Sequence, residues 1–471
     1  MQKIKNSFNE RSHIELQNPL IRSNFRRAMD GLMEKRKAQF PDEAELSRLR
    51  DLAAAIRQNA LAKLPELLEQ LETRCRLNGI QVHWAQTTDE ACEIVLQIAQ
   101  KHDARSVIKG KSMVSEEMDL NRFMEAHGIE CLESDLGEYL VQIAGETPSH
   151  IIMPVIHKNR EQIAQLMADK HGTPYTDDVN AMTQNARALL RDKFMQADIG
   201  ISGVNFAVAE SGTLCLVENE GNGRMSTTTP PVHIAVMGIE KVVERLEHVP
   251  PLLSLLTRSA TGQHITTYFN MITSPRKPGE KDGPGSIHLV LLDNERTSMY
   301  SDAELRDTLR CIRCGACINH CPVYTRVGGH AYGAVYPGPI GKLVTSQMYG
   351  MEVAGDLPTA CTLCGACGEV CPVKIPIPDL LKRLRQESVE GHAVKQAGAR
   401  KKLIEAMVWK TWAILHRSPV LYRLMTWSVT RMRWMIPAKM GKWTISRQMP
   451  AVASRSLHER LEVLHNEENK V

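Results

Sequence analysis

A chain of 471 residues with 43% hydrophobic and 24% charged content has apolar side chains for a large core, which excludes a disordered or fibrous polypeptide and suggests two to four domains at roughly 100 to 200 residues each. The net charge is only +4, but residues 395–447 hold 12 Lys or Arg against the single acid Glu405, so that segment carries 12 − 1 = +11 and the rest 4 − 11 = −7. A chain basic throughout is thereby excluded, and the asymmetry points to an interaction surface near the C-terminus. The opening MQKIKNSFNERSHIELQNPL has no apolar h-region, no stretch reaches the ~18 consecutive apolar residues of a membrane span, and a cytoplasmic protein is expected.

In chain order, Leu46, Leu49, Leu52, Ile56, Leu61, Leu64, Leu67, Leu68 and Leu71 recur at helical spacing until Asn78-Gly79, predicting helix from about Glu43 to Leu77. IQVHWA then predicts a strand, Thr87 with Glu90 a capping box, SVIK a strand, residues 116–127 a helix and IECL a strand. YLVQIA and HIIMPVI are expected as strands, Asn159 to Lys170 as helix, and ADIGIS, FAVAES, TLCLVE, HIAVMG and SIHLVLLD as strands. Strands alternating with helices imply an α/β domain on a largely parallel sheet. From about residue 300 the β-branched runs stop, and helix is expected from Pro378 to about Arg447, broken at Pro419 and Pro437 and followed by a polar tail. The predicted boundaries are a helical segment over 1–77, the α/β domain over 78–298, a mainly helical cysteine-rich domain over 299–385 and a basic, Trp-rich helical region over 386–471.

Eight of the 12 cysteines lie in two runs, CIRCGACINHCPVY and CTLCGACGEVCPVK. Without a secretory signal such spacing favours metal binding over disulfides. The isolated Cys75, Cys92, Cys131 and Cys215 are expected as small buried hydrophobes. Soft thiolates suit zinc or iron–sulfur clusters. A zinc ribbon pairs two distant CxxC knuckles, whereas CxxCxxCxxxCP is the bacterial ferredoxin spacing, in which the fourth cysteine ligates the other cluster. The spacing assigns Cys311, Cys314, Cys317 and Cys371 to one [4Fe–4S] cluster and Cys361, Cys364, Cys367 and Cys321 to a second. Every iron would then be capped by cysteine, which suits electron transfer better than substrate chemistry.

In the α/β domain no GxGxxG or Walker motif is present. GISGVNFAVAESGTLCLVENEGNGRMSTTTPP combines strand-end glycines with carboxylates, as a ligand pocket does, although such glycines also serve simple turns. Lys109 and Lys111 lie just past a strand and could meet a carboxylate or phosphate, with solvated surface lysines as the alternative. His157 carries no catalytic signature of its own.

SVIKGKSMVSEE, DLGEYLVQIAGETPSHIIMPVIHK, NFAVAESGTLCLVENEGNGR, PPVHIAVMGIEK and the two cysteine runs, in this order, resemble the lactate-utilisation protein B family, iron–sulfur subunits of a bacterial L-lactate oxidation complex. The resemblance implies an α/β LUD domain, similar to the sugar-isomerase and CoA-transferase group, followed by a two-cluster ferredoxin domain and a family-specific helical tail. It implies relay of electrons from the conversion of L-lactate to pyruvate, with a cysteine-rich subunit like those of heterodisulfide reductase and a smaller LUD-domain protein as partners. It also implies the eight cysteines named above as ligands of two [4Fe–4S] clusters. Candidate residues of the LUD pocket are Lys109, Lys111, Glu210, Gly212, Thr213, Glu218 and Asn222, with the ligand left open. The alternatives are a LUD enzyme acting itself on a small hydroxy acid, with the clusters as outlet, and an iron–sulfur redox sensor.

Trp409, Trp412, Trp427, Trp434 and Trp443, five of the six tryptophans, fall in the basic segment. Trp with cations suits docking on a partner, packing of the tail on its own domain, or peripheral contact with an anionic membrane face. No nucleic-acid partner is expected, since no recognition motif accompanies the basic run.

Overall fold

The computed structural model describes residues 6–390, 403–439, 444 and 448–468. The chain divides into two compact units, one reaching to Ser388 and the other made chiefly of residues from Gly398 onward.

The first unit opens with four helices, Phe8–Leu16, Pro19–Gln39, Glu43–Ala62 and Leu64–Leu77, and Pro65 stands in the first turn of the fourth, where its missing N–H costs nothing. Side-chain oxygens of Ser7, Asn18 and Asp42 cap the first three by accepting otherwise orphaned N–H groups. Ten strands follow: β1 Gln81–Ala85, β2 Ser106–Lys109, β3 Glu130–Glu133, β4 Ile199–Gly203, β5 Phe206–Val208, β6 Thr213–Glu218, β7 Val232–Gly238, β8 Val242–Val243, β9 Tyr268–Ile272 and β10 Ser286–Leu292. Six form one sheet in the order β1-β10-β7-β4-β2-β3, and every pairing in it is parallel. A parallel sheet is covered on both faces, and all seven residues of β7 are buried. Gly200 in β4 lies so close to the helix Asn222–Thr228 that a Cβ would stand 1.7 Å from the Ser226 carbonyl oxygen. The smaller sheet, β8-β5-β6-β9, is mixed.

Two predicted strands take other forms. YLVQIA belongs to the helix Leu136–Ala144, capped by the Asp135 side chain and ended by Gly145 at φ 68°. These start and stop signals outweigh the β-branched content. HIIMPVI contains no strand: the Ile152 and Met153 N–H groups donate to His150 Nδ1 at 3.0 and 3.1 Å, and Pro154 has no N–H for a ladder. Residues 116–127 fall into two helices, Met113–Glu117 and Leu120–Ala126, parted by Asp119 at φ 52°. Glu90 accepts the N–H of Gln86, one residue ahead of the cap at Thr87.

Past β10 the chain is mostly short helices around the cysteine runs, with the longer Gly338–Tyr349 and Ile377–Glu390. One hydrophobic cluster runs from the N-terminal helices (Phe25, Leu71) through the sheet (Phe206, Leu289) to the cysteine-rich part (Ile318, Tyr324, Leu343, Leu381), so these parts share a core rather than touching as separate bodies.

The second unit holds the helices Leu403–Arg417, Pro419–Arg431 and Leu457–Glu468, the last lying where a polar tail was expected. Trp409 meets Trp412 edge-on at 5.8 Å and Trp412 stacks on His416 at 4.1 Å. Trp409, Trp412, Trp427 and Trp434 are all exposed. Trp443 and the cations at the ends of the basic run, Lys395, Arg400, Lys401, Lys402, Lys442 and Arg447, lie outside the described residues. Among the described residues no helix is long and apolar enough to cross a membrane.

Candidate functional site

Each cysteine run folds by the same local rule. Arg313 and Leu363, in the middle of the first CxxC, take φ 60° and 56°, and each donates its N–H to the preceding cysteine, Cys311 or Cys361, at 3.3 Å. Gly315 and Gly365 follow at φ 75° and 87° and open the one-turn helices Ala316–Asn319 and Ala366–Glu369. Left-handed backbone there turns the loop around the sulfurs, which glycine does at no steric cost. Pro322 and Pro372 then start the exit from each run.

The two runs exchange their last cysteines. Cys314 and Cys317 lie within electrostatic reach of Cys311 and of Cys371 from the other run. Cys367 lies within reach of Cys361, Cys364 and, from the first run, Cys321. The second group lines one shallow pocket together with His320, Pro339 and Pro378. Burial, then mutual repulsion, pushes the thiols of Cys314 and Cys317 up, and that of Cys367 up to about 12. Four crowded sulfurs of this kind give up their protons when a cationic centre sits among them. Among the described residues no three His, Cys, Asp or Glu side chains converge closely enough to hold a single ion. Backbone N–H groups of Ala316, Ile340 and Ile375 point at Cys314, Cys317 and Cys371, the outer-shell bonds that stabilise thiolate. The donor set therefore fits two [4Fe–4S] cubes.

The quartets differ in depth. In one, Cys314, Cys317 and Cys371 are buried and Cys311 half-buried; in the other, Cys321 and Cys367 are buried, Cys361 is half-buried and Cys364 is exposed. Around the deep quartet stand arginines that no motif signals. Arg57 is fully buried and donates to the carbonyls of Leu309 (3.0 Å), Arg310 (3.3 Å), Val242 (2.8 Å) and Glu240. Arg50 donates to the carbonyls of Cys371 (2.9 Å) and Gly368 (3.3 Å), and Arg36 to that of Val370 (3.4 Å). Arg296 joins Glu117 at 2.7 Å and Glu240 at 2.5 Å, and Arg313 reaches Glu240 at 3.6 Å. The Tyr336 hydroxyl donates to Glu117, and the Arg313 guanidinium lies 4.4 Å over its ring.

The seven candidate pocket residues do not assemble into one site. Lys109, at the carboxyl end of β2, is 1% exposed and bound to Glu133 (2.6 Å), Glu116 (2.9 Å) and Ser115 (2.8 Å). Burial opposes its charge, but Glu133 and Glu116 outweigh burial and raise its pKa, so it stays an ammonium. Its bonds are used inside the protein, which leaves it no free surface cation. Lys111 donates to the Ile152 carbonyl at 2.8 Å and lies 3.6 Å from Glu138, whose carboxyl burial pushes up to about 8. Glu218 accepts the N–H groups of Gly223 and Arg224 at 2.7 Å and the Asn270 amide at 2.9 Å; it caps the helix that Asn222 begins. Glu220 lies within electrostatic reach of both Lys111 and Glu218, so Lys111, Glu218 and Asn222 share one region. Glu210, Gly212 and Thr213 lie at the turn between β5 and β6. There Glu210 accepts the Leu246 N–H at 3.3 Å, the Gly212 carbonyl faces Cys75 of the fourth helix at 3.6 Å, and Thr213 bonds Ser211 at 2.7 Å. His157 is held by Glu146 at 2.6 Å and Ser149 at 2.9 Å, a structural tie.

The chain matches the family model of the LUD domain over residues 68–292, of a 4Fe-4S dicluster domain over 307–375 and of the lactate utilisation protein B C-terminal region over 383–464. It is thus an α/β LUD domain followed by a dicluster domain and a helical C-terminal region. It is 40% identical over 454 residues to lactate utilization protein B of Bacillus licheniformis, covering 94% of each chain. It is 43% identical over 417 residues to that of Bacillus thuringiensis, covering 88% of this chain and 86% of the relative. It is also 39% identical over 458 residues to an uncharacterized electron transport protein, YkgF, of Escherichia coli, covering 95% of each. A solved DUF162 family structure from Deinococcus radiodurans aligns at 15% identity with a TM-score of 0.29, covering 49% of this chain and 98% of that one. With some two-fifths of its residues shared along nearly its whole length, the chain belongs to the lactate utilization protein B family.

Proposed function

We propose that this chain is the iron–sulfur electron-transfer subunit of an assembly that oxidises L-lactate to pyruvate. Its own contribution is a wire of two [4Fe–4S] clusters, held by Cys311, Cys314, Cys317 and Cys371 and by Cys321, Cys361, Cys364 and Cys367. The observation that supports this reading is the nearness of Cys371 to Cys311, Cys314 and Cys317 and of Cys321 to Cys367, as crossed ligation with a cysteine for every iron corner requires. When bound, such clusters supply one-electron steps and no open coordination position. The residues of the chain set the path. The exposed Cys364 brings one site to the surface, and the packing of Ile151 and Ile152 over Gly315 brings the other against the LUD domain. The partners proposed are a cysteine-rich subunit of the heterodisulfide reductase type, receiving or supplying electrons, and a smaller LUD-domain protein.

Anaerobic isolation with iron and sulfide assay tests the wire, and about eight irons per chain are expected; zinc, or iron for one cluster, would overturn it. Lactate-dependent bleaching of the clusters is expected only when co-purifying chains are present. Lactate oxidation by this chain alone would instead make it the enzyme.

A further inference from the structure

The N-terminal helices lie more than two hundred residues from the cysteine runs in sequence, yet three of their arginines end on the backbone that carries the deep quartet. Arg57 holds the two carbonyls just before Cys311. Arg50 holds the carbonyl of Cys371 itself, and Arg36 that of the residue before it. The crossed quartet is therefore gripped at both of its ends, one from each run.

These guanidinium groups spend their hydrogen bonds there on neutral carbonyls and form no direct ion pair, although Glu240 lies within electrostatic reach of Arg57 and Asp51 within reach of Arg50. The charged side chains around Cys311 are the buried Arg57, Lys241 and Arg296 and the half-buried Arg313, against the buried Glu117 and Glu240, an excess of 4 − 2 = 2 positive charges. Arg310 does not alter the sum, being paired with Asp307 at 2.6 Å. Buried charge without a partner is costly. A [4Fe–4S] cube with four thiolates carries about two negative charges when oxidised and about three when reduced, and its potential follows the net charge around it. The surplus matches that anion, and a cationic wall favours its reduced form. The open quartet has a thinner wall: Arg385 holds the carbonyls of Pro358 (2.9 Å) and Cys361 (2.7 Å), and Lys342 that of Ala360. Water at the exposed Cys364 screens what charge there is.

We propose that Arg36, Arg50 and Arg57 are positioning residues of the deep cluster, holding its ligand segments and raising its affinity for an electron, so that the N-terminal helices belong to the redox machinery. This deepens the proposed function and rests on it.

The test is a potentiometric titration of the full, anaerobically reconstituted chain, followed by electron paramagnetic resonance. Arg50→Gln is expected to weaken electron binding at one cluster about tenfold, 59 mV for a one-electron couple, and to leave the other unmoved. The cluster that shifts is expected to be the one whose signal disappears in Cys371→Ser. Arg50→Lys, which keeps the charge, is expected to restore most of the potential. If Arg50→Gln binds less iron, Arg36→Gln is the second variant, since its one hydrogen bond to a cysteine run goes to the Val370 carbonyl and its other contact is with the Phe40 ring at 5.2 Å. Potentials unchanged within twofold in both variants, both clusters shifting together, or no rescue by lysine would overturn the inference while leaving the two-cluster wire intact. Absence of two cubane signals from the unaltered chain would overturn the wire, and the inference with it.

Discussion

Gly315 and Gly365 occupy the same place in two loops of nearly identical backbone, and their neighbours could hardly differ more. A Cβ on Gly315 would meet Ile152 at 3.2 Å, Ile151 at 3.6 Å and His150 at 3.7 Å, all from the LUD domain, whereas one on Gly365 would meet only the tip of Glu369 at 3.8 Å. His150 extends the seal: its ring bonds Asn319 at 2.9 Å, and Asn319 in turn donates to the Ala260 carbonyl at 3.1 Å. The lesson is that local sequence sets how a cysteine loop folds, and the parts packed against it set how wet and how charged the bound group will be.

The sharpest way to break this comparison is through the exchanged cysteines. Cys371→Ser lies in the second run but is expected to abolish or degrade the cluster built on Cys311, Cys314 and Cys317, removing up to about four irons per chain. Iron analysis with resonance spectroscopy checks this; loss confined to the Cys361–Cys367 side would show that each run serves itself.

A smaller effect is expected from acid, and only on the sealed side. Burial pushes His150 down from about 6.5 to about 4; its Nδ1 accepts two backbone N–H groups, so it is held neutral. A folded pKa below the unfolded one means that the unfolded chain takes up protons first. The contribution is thus complete above pH of about 6.5 and falls away toward pH of about 4, by up to about 3 kcal/mol. Thermal unfolding across that window is expected to be less pH-dependent in His150→Gln than in the unaltered chain; an unchanged slope would remove His150 from the account.

The smallest effect is a difference between matched substitutions. Gly315→Ala and Gly365→Ala share the left-handed backbone cost of about 1 kcal/mol, but only Gly315→Ala adds contact with Ile152. It is expected to lower the melting temperature by a few degrees more. Equal shifts would mean that the LUD segment yields freely.

Much of this was legible residue by residue. Alternation of strand and helix signals implied the parallel sheet, and the spacing of eight cysteines implied crossed ligation, with which the nearness of Cys371 to Cys314 and of Cys321 to Cys367 agrees. HIIMPVI misled because its strand-like composition is overridden by a histidine that captures its own backbone. The pocket candidates misled because a motif records which residues are adjacent in sequence and leaves open which are already satisfied. Lys109 is spent on Glu133 and Glu116, and Glu218 on a helix start. Nothing in the pattern singled out Arg57, 253 residues from the Arg310 carbonyl it binds.

The sequence by itself determined the loop chemistry of both runs, because glycine, proline and cysteine spacing act over a few bonds. Only the tertiary structure decided that one quartet is sealed among arginines and the other faces water, because burial and buried charge are sums over elements that meet only when the whole unit has folded.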